Sequence, residues 1–183
     1  GIYRNQIWTT ILTSVECGIS DYLLKNNIDF VEEKLVPFTE YEIISDFYGE
    51  QKAKRSGVFL MNHIDEGLFI LNKINSSLIA KKAYCLHPIL QGDESLCQNK
   101  DLVIGCDCSV IIASMEYRSV ANEYLSNRTI QTINDIRLSP LKDVNDMLIA
   151  DKIQNRKDFE LYHKNTHPRS KELTEYFNNW FER

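Results

Sequence analysis

Apolar residues recur at steps of three and four along most of this chain, which is the spacing of one face of an α-helix. Only seven glycines and four prolines interrupt the pattern, so long helices are favoured over many short strands. Residues 95–109 look turn-like, and 127–139 fit a short strand or part of a helix. Helices are predicted over 2–27, 39–48, 50–73, 79–90, 101–125, 141–162 and 170–182. The pattern therefore predicts an all-α fold.

Three local signals refine these helices. Thr39 followed by Glu42 has the spacing of a capping box at a helix start. Pro88 lacks a backbone N–H, so its helix should kink or end near His87. Gly67 lies inside the 50–73 helix, where a glycine bends the helix, breaks it or lets another element pack closely.

Composition narrows the class of protein. The chain has 183 residues, 43% of them hydrophobic, which suits one domain with a good core. A formal net charge of -5 argues against broad nucleic-acid binding. No apolar run approaches the length that spans a bilayer. Five cysteines, an odd number, predict free thiols in a reducing cytoplasm. We therefore expect a cytoplasmic globular protein.

A polar row follows a very apolar stretch in the 141–162 helix. Asp151 comes after four apolar residues, and Asn155 and Asp158 lie four and seven positions later on the same helix face. A carboxylate in such a setting needs a metal, a cation or hydrogen-bond donors. An ordinary ion pair with Lys152 or Arg156 would also satisfy it.

Two histidines upstream offer another explanation for Asp151. His63 and His87 each lie on, or at the end of, a predicted helix beside apolar residues. Imidazole and carboxylate together suit first-row divalent metals, so three helices could hold one ion between them. A lone histidine on an apolar face is usually a core residue, and the prediction therefore depends on the whole set.

The order and spacing of these residues resemble a known family. The segment LIADKIQN at 148–155 is similar to the KLADRLHN helix of the HD superfamily, in its RelA/SpoT-type guanosine tetraphosphate hydrolases. AYCLHP at 83–88 resembles the family's AALLHD segment. The basic pair Lys54-Arg55 ahead of His63 resembles a basic residue before the first metal histidine. The resemblance covers 54–158. It implies a single-domain HD-like helical bundle with an N-terminal helical extension over 1–50 and a C-terminal helix over 168–183.

The resemblance also implies a chemistry. His63, His87 and Asp151 would bind a divalent metal (Mn, Fe, Zn or Mg), and a metal-bound water would attack a phosphate ester or anhydride. Asn155 would lie beside a nucleotide or polarise a group in the pocket, and Lys54 or Arg55 would face a phosphate or base.

The chain departs from the family pattern next to the second histidine. Pro88 stands where the family has the Asp of its His-Asp pair, which is both a metal ligand and a link to the attacking water. Gln91 and Gly92 occupy the place of an acidic pair, and the acids follow as Asp93 and Glu94. Catalysis would then depend on Gln91, Asp93 or Glu94 completing the site.

Several other polar groups have two explanations each. Arg118 and Asn122 share a helix face that suits a phosphate, and a solvated face explains them equally well. Lys152 suits an anionic ligand or simply coats the helix. Cysteines 97, 106 and 108 lack a second CxxC pair and are expected to be free thiols. His163 and His167 have the four-residue spacing of a metal clamp, but a histidine-bearing helix end is favoured.

Three functional hypotheses follow. The first is an HD-like phosphohydrolase that acts on a nucleotide or related phosphate ester. The second is a catalytically degenerate HD-fold protein that binds a nucleotide or a partner without hydrolysis. The third is a helical interaction protein whose histidines are core residues. The first two predict a nucleotide or small phosphorylated ligand and no membrane contact, and a homo-oligomer is left open. The distances between His63, His87 and Asp151 distinguish the site hypotheses from the third.

Overall fold

The computed structural model describes residues 38–126 and 132–183, and this part of the chain is all-α. Within it, the only strand-like contact is an isolated bridge between Lys52 and Phe59. The helices are α1 Thr39–Tyr48, α2 Met61–Lys73, α3 Leu78–Leu90, α4 Asp93–Asn99, α5 Cys108–Ser126, α6 Lys142–Asp158 and α7 Ser170–Glu182. A 3₁₀ turn follows α4, another precedes α6, and a π-helical turn continues α6. The predicted all-α single-domain fold is confirmed.

Helix α3 lies at the centre of the bundle, in contact with α1, α2, α5 and α6. The four consecutive residues at 83–86 are fully buried, so this helix is covered on every side. The segment around His87 is therefore inside the protein because its neighbours are apolar all round the helix. Helix α6 packs against α2, α3 and α5, which places its polar row next to α3.

Several predicted boundaries are wrong. The first part of the predicted 50–73 helix is a turn region, and α2 begins only at Met61. Gly57 has a φ of 71° in that turn, a conformation that favours glycine. Thr39 is the first residue of α1, and its N-cap, Phe38, has no side-chain capping bond, so no capping box forms there. Helix α3 continues through Pro88 to Leu90.

Two further predictions concern segments near the ends of α4 and α5. Residues 95–99, which were predicted to be turn-like, belong to α4, and α5 begins at Cys108, well after 101. The helix predicted over 2–27 lies outside the described residues, as do 127–131 of the ambiguous segment. Ile133–Asp135, in the rest of that segment, is a 3₁₀ turn. None of the helices in 38–126 and 132–183 has the length and apolar character that a membrane crossing requires.

Candidate metal centre

His63 on α2, His87 on α3 and Asp151 on α6 converge on one point. The two Nε2 atoms lie 3.1 Å apart. Asp151 Oδ1 lies 3.6 Å from His63 Nε2 and 3.8 Å from His87 Nε2. Three or more histidine, cysteine, aspartate or glutamate side chains can share a metal ion if their donor atoms are close together. Across 38–126 and 132–183, these three residues form the one group that meets this condition. The sequence therefore identified three side chains that the fold brings together.

The absence of a side chain at Gly67 allows α2 and α3 to approach at this site. A Cβ atom on Gly67 would lie 2.1 Å from the Tyr84 ring. The fully buried Tyr84 ring instead packs beside both imidazoles, with centroids 5.6 Å from His63 and 4.6 Å from His87. Tyr117 of α5 closes the other side of His87 at 5.0 Å. The aromatic rings thus hold the imidazoles in place.

Pro88 sets the orientation of His87. A residue at 88 would ordinarily donate its N–H to the carbonyl of Tyr84, but proline has none. His87 Nδ1 lies 2.6 Å from that carbonyl oxygen, which can only accept a hydrogen bond. Nδ1 therefore carries the proton, and the lone pair of His87 lies on Nε2, directed toward Asp151 and His63.

Gln154 sets the tautomer of His63 in the same way. Its side-chain Nε2 donates to Glu66 at 3.0 Å and to Asp158 at 2.8 Å, which fixes the amide with Oε1 on the other side. Oε1 lies 2.6 Å from His63 Nδ1 and accepts a hydrogen bond from its N–H. Gln154 is fully buried, so water does not compete for these bonds. His63 Nε2 is consequently the lone-pair nitrogen.

Two imidazole lone pairs therefore face each other across 3.1 Å, with a carboxylate oxygen beside them. Two acceptors at this separation repel unless a proton or a cation lies between them. Burial lowers the pKa of His87 to about 3, so this ring stays neutral at neutral pH. A divalent metal bound by the two lone pairs and the carboxylate oxygen would remove this repulsion. A circle through the three donor atoms has a radius of about 2.0 Å, close to the bond lengths of zinc to nitrogen and oxygen.

Asp151 also has two donors of its own from α6. Lys152 Nζ lies 2.8 Å from Oδ2, and Asn155 Nδ2 donates to Oδ1 at 2.8 Å. Burial opposes ionisation of the carboxyl, but the ammonium of Lys152 outweighs it and holds the pKa of Asp151 well below its usual range. Burial likewise works against the charge of Lys152, and Asp151 outweighs it to raise the pKa of that lysine. The predicted alternative, an ion pair with Lys152, is thus present beside the imidazoles.

The centre is open to solvent on one side. His63 keeps 21% of its side chain exposed, whereas His87 keeps 3% and Asp151 keeps 6%. A ligand would therefore approach past the α2 histidine, while α3 and α6 form the closed side.

Four of the other predicted site residues form a second cluster where α3, α4 and α5 meet. Asn122 donates to the Gln91 backbone carbonyl at 2.9 Å, and the Gln91 amide reaches Asn122 Oδ1 at 3.4 Å. The Arg118 guanidinium donates to the Asp93 carboxylate, which is almost fully exposed. Gln91 follows His87 by one helical turn, and Asn122 follows Tyr117 by five residues. This cluster is therefore tied to the same two helices that carry the walls of the centre.

The remaining predicted site residues divide into two groups, since Lys152 and Asn155 contact the centre through Asp151, whereas no contact brings Lys54, Arg55 or Glu94 to it. Lys54 and Arg55 are exposed in the turn before α2, and Glu94 is exposed on α4, where it accepts from Gln98 at 3.2 Å. Lys152 is buried and lies 5.0 Å from the Trp180 ring, on the α7 side of α6. Asn155 acts on the Asp151 carboxylate. Cysteines 85, 97, 106 and 108 are free thiols.

Sequence reasoning missed the second layer of the site. Lys157 binds Glu66 at 2.6 Å and Asp158 at 2.7 Å, and so holds the two carboxylates that orient Gln154. Gln154 could have been identified from its position three residues after Asp151 on the same helix. The free carbonyl of Tyr84 could have been identified from its position four residues before a proline.

Comparison with known proteins gives no match: no family model, curated protein or solved structure is significantly similar to this chain.

Proposed function

We propose that this protein is a metal-dependent phosphohydrolase of the HD type that acts on a nucleotide or a related phosphate ester. The observation that carries the proposal is the convergence of His63 Nε2, His87 Nε2 and Asp151 Oδ1, with both imidazole tautomers set by acceptors behind them. A divalent metal held there would supply charge neutralisation at the phosphoryl oxygens and activation of water.

The residues around the centre support a role in ligand binding. His63 stands at the solvent side, so an incoming phosphate ester would meet that imidazole first. The buried rings of Tyr84 and Tyr117 exclude water from the closed side. Arg118 is the cation in the neighbouring cluster, and its exposed partner Asp93 could be displaced by a phosphate, since a guanidinium binds phosphate in bidentate geometry.

The test is a metal and turnover measurement on the purified protein. We expect bound metal and release of phosphate from at least one member of a nucleotide panel with added manganese. His87→Gln should abolish both. His163→Gln replaces a histidine outside the cluster and should change neither. Protein that binds no metal and releases no phosphate would contradict the proposal.

A second function is favoured by one specific observation, the proline beside His87. Pro88 offers no carboxylate where the resembled family has its catalytic Asp, and Asp93 already pairs with Arg118. The alternative is a catalytically degenerate HD-fold protein that binds a nucleotide or a partner without hydrolysis. Thermal unfolding with each nucleotide, in the absence of turnover, distinguishes the two. A melting temperature that stays constant across the panel would count against the nucleotide-binding form of this alternative.

A further inference from the structure

We infer that the centre binds a single metal ion with four ligands, and that its donor atoms are of the types that zinc prefers. Its three protein donors are His63 Nε2, His87 Nε2 and Asp151 Oδ1, and the fourth position is left for an exchangeable ligand. The inference rests on the proposed function in that it takes the cluster as a metal site, and it adds the number of ions, the coordination number and the class of metal.

Asp151 can offer the metal only one oxygen. Its Oδ2 atom is bound by Lys152 Nζ at 2.8 Å, and both side chains are only 6% exposed. Lys152 is held in that position by the aromatic side chains of α7, with its Nζ 5.0 Å from the Trp180 ring and 5.7 Å from the Tyr176 ring. Removing an ammonium group from such a buried pair would leave an uncompensated charge, which is costly. Bidentate binding by Asp151 is therefore disfavoured.

The same ion pair works against a second metal ion. A two-metal site needs a carboxylate or another bridging group between its ions. Asp151 has no oxygen left for this, and Pro88 has no donor atom in its side chain. Both oxygens of Glu66, the next carboxylate along α2, are taken by Lys157 and Gln154. Within the described ranges, 38–126 and 132–183, no other group of three ligand side chains exists.

The spacing of the three donors indicates four-coordinate geometry. With metal–ligand bonds of about 2.1 Å, neighbouring donors lie about 3.4 Å apart in a tetrahedron but only about 3.0 Å apart at the right angles of an octahedron or a square plane. The separations here are 3.1, 3.6 and 3.8 Å, with a mean of about 3.5 Å. The two separations that involve Asp151 are too wide for the right angles of the facial arrangement typical of non-haem iron, and the mean matches the tetrahedron, while the histidine–histidine separation of 3.1 Å lies closer to the octahedral value.

The donor types point to the same metal. Magnesium and manganese prefer six oxygen ligands, whereas two imidazoles and one carboxylate oxygen suit zinc and also Fe(II), which the two wide separations to Asp151 disfavour. Three protein ligands with one open position is the arrangement of catalytic zinc sites. Each ligand also has a partner behind it, Gln154 for His63, the Tyr84 carbonyl for His87 and Lys152 for Asp151, as such sites require.

Cobalt substitution tests the inference with a readout that does not depend on activity. The protein would be stripped with a chelator and loaded with Co²⁺, whose visible absorption is intense when four-coordinate and weak when six-coordinate. Metal analysis after loading with Zn²⁺ would give the number of ions per chain. We expect an intense Co²⁺ spectrum that one equivalent of Zn²⁺ abolishes. A weak spectrum of the six-coordinate kind, or two tightly bound ions per chain, would overturn the inference.

Lys152→Met tests the role assigned to the lysine, and Lys142→Met is the matched control. Lys142 also pairs with a carboxylate on α6, that of Asp146 at 2.5 Å, but it is 74% exposed and lies at the opposite end of the helix from Asp158, nine residues before Asp151. Freeing Asp151 Oδ2 should weaken the Co²⁺ absorption as the coordination number rises, whereas the control keeps the wild-type spectrum. An unchanged spectrum in folded Lys152→Met protein would contradict the single-oxygen argument. If that variant fails to fold, the wild-type spectrum still decides.

The outcomes separate this inference from the proposed function. One four-coordinate ion without phosphate release from any nucleotide would support the inference and contradict the phosphohydrolase. Phosphate release with two ions, or with one six-coordinate ion, would support the phosphohydrolase and contradict the inference. A protein that binds neither Zn²⁺ nor Co²⁺ would contradict both.

Discussion

Gln154 Oε1 accepts a hydrogen bond from His63 Nδ1 at 2.6 Å, and this contact connects a candidate metal ligand to a buried charge network. The amide of Gln154 is held by Glu66 and Asp158, and both carboxylates are neutralised by Lys157, which is only 5% exposed. The direction of the His63 lone pair therefore depends on a lysine that does not contact the imidazole.

Gln154→Leu should weaken metal binding by about 10–100-fold, because an oriented partner behind a ligating histidine is worth that much in affinity. Leucine removes the acceptor for His63 Nδ1 while keeping a side chain of comparable size. Competition with a chromophoric chelator gives the affinity. Gln98→Leu is the control, since Gln98 is an exposed glutamine on α4 that bonds Glu94. Equal affinities for the two variants would contradict the assigned role.

Lys157→Met should destabilise the metal-free protein by about 3–5 kcal/mol, because it leaves two carboxylates beside Gln154 without their buried cation. The free energy of unfolding from urea titration measures the loss. Lys164→Met is the matched control, because Lys164 is 46% exposed and its partner Glu160 keeps a second cation in Arg156, so the loss should be about 1 kcal/mol or less. A similar small loss in both variants would show that the buried network contributes little to stability.

The sequence predicts some residues of this site and not others, and the difference lies in the kind of contact that each residue makes. His63, His87 and Asp151 were predictable because metal-binding side chains stand out in apolar helices at suggestive spacings. Gln154 and Lys157 were not, because their partners lie about 90 positions away and depend on how α2 packs on α6.

The same reasoning explains the successes and errors in the fold. Periodicity identified α3, α6 and α7, whose apolar faces are long and regular. The start of α2 was predicted too early because residues 51–60 contain a polar turn that no apolar period marks. The capping box at Thr39 failed because the helix begins one residue earlier than that spacing assumes, with Phe38 as its N-cap.

Gly67→Ala should destabilise the protein by about 1–3 kcal/mol or more, because the new methyl group would overlap the Tyr84 ring. Displacement of that ring would also disturb the imidazoles of His63 and His87, so metal affinity should fall together with stability. Chemical unfolding and chelator competition measure the two effects. The cost of Gly67→Ala should shrink in a Tyr84→Ala background, and an undiminished cost there would show that the overlap is not its cause.

Alkaline pH should destabilise the protein through Tyr48 at the end of α1. Burial raises the pKa of Tyr48 to about 12 from its ordinary value near 10. Because the folded-state pKa is the higher one, this contribution is fully present below pH 10 and is lost as the pH rises from 10 through 12. Tyr48→Phe should lose less stability than wild type, by up to about 3 kcal/mol over the full range and by about half of that at pH 11. Urea unfolding at pH 8 and pH 11 measures the difference, and parallel losses would contradict the expectation.

Pro88→Ala should strengthen the helix and weaken the metal site. Alanine is better than proline by about 3 kcal/mol inside a helix, although the gain is smaller near a helix end. The restored N–H would compete with His87 Nδ1 for the Tyr84 carbonyl, so the tautomer of His87 would no longer be fixed. We expect a higher melting temperature and a lower zinc affinity in the same variant. A rise in both would contradict the assignment of the carbonyl to His87.

The residue at position 88 can support the metal site in one of two ways. An aspartate there would bind the metal through its side chain. The proline has no N–H, and it therefore leaves the Tyr84 carbonyl free to accept a hydrogen bond from His87. The two properties that a protein engineer would measure, thermal tolerance and metal retention, would then move in opposite directions at this residue. Selection for heat resistance alone would favour replacing the proline, and the resulting protein would lose its ion more readily.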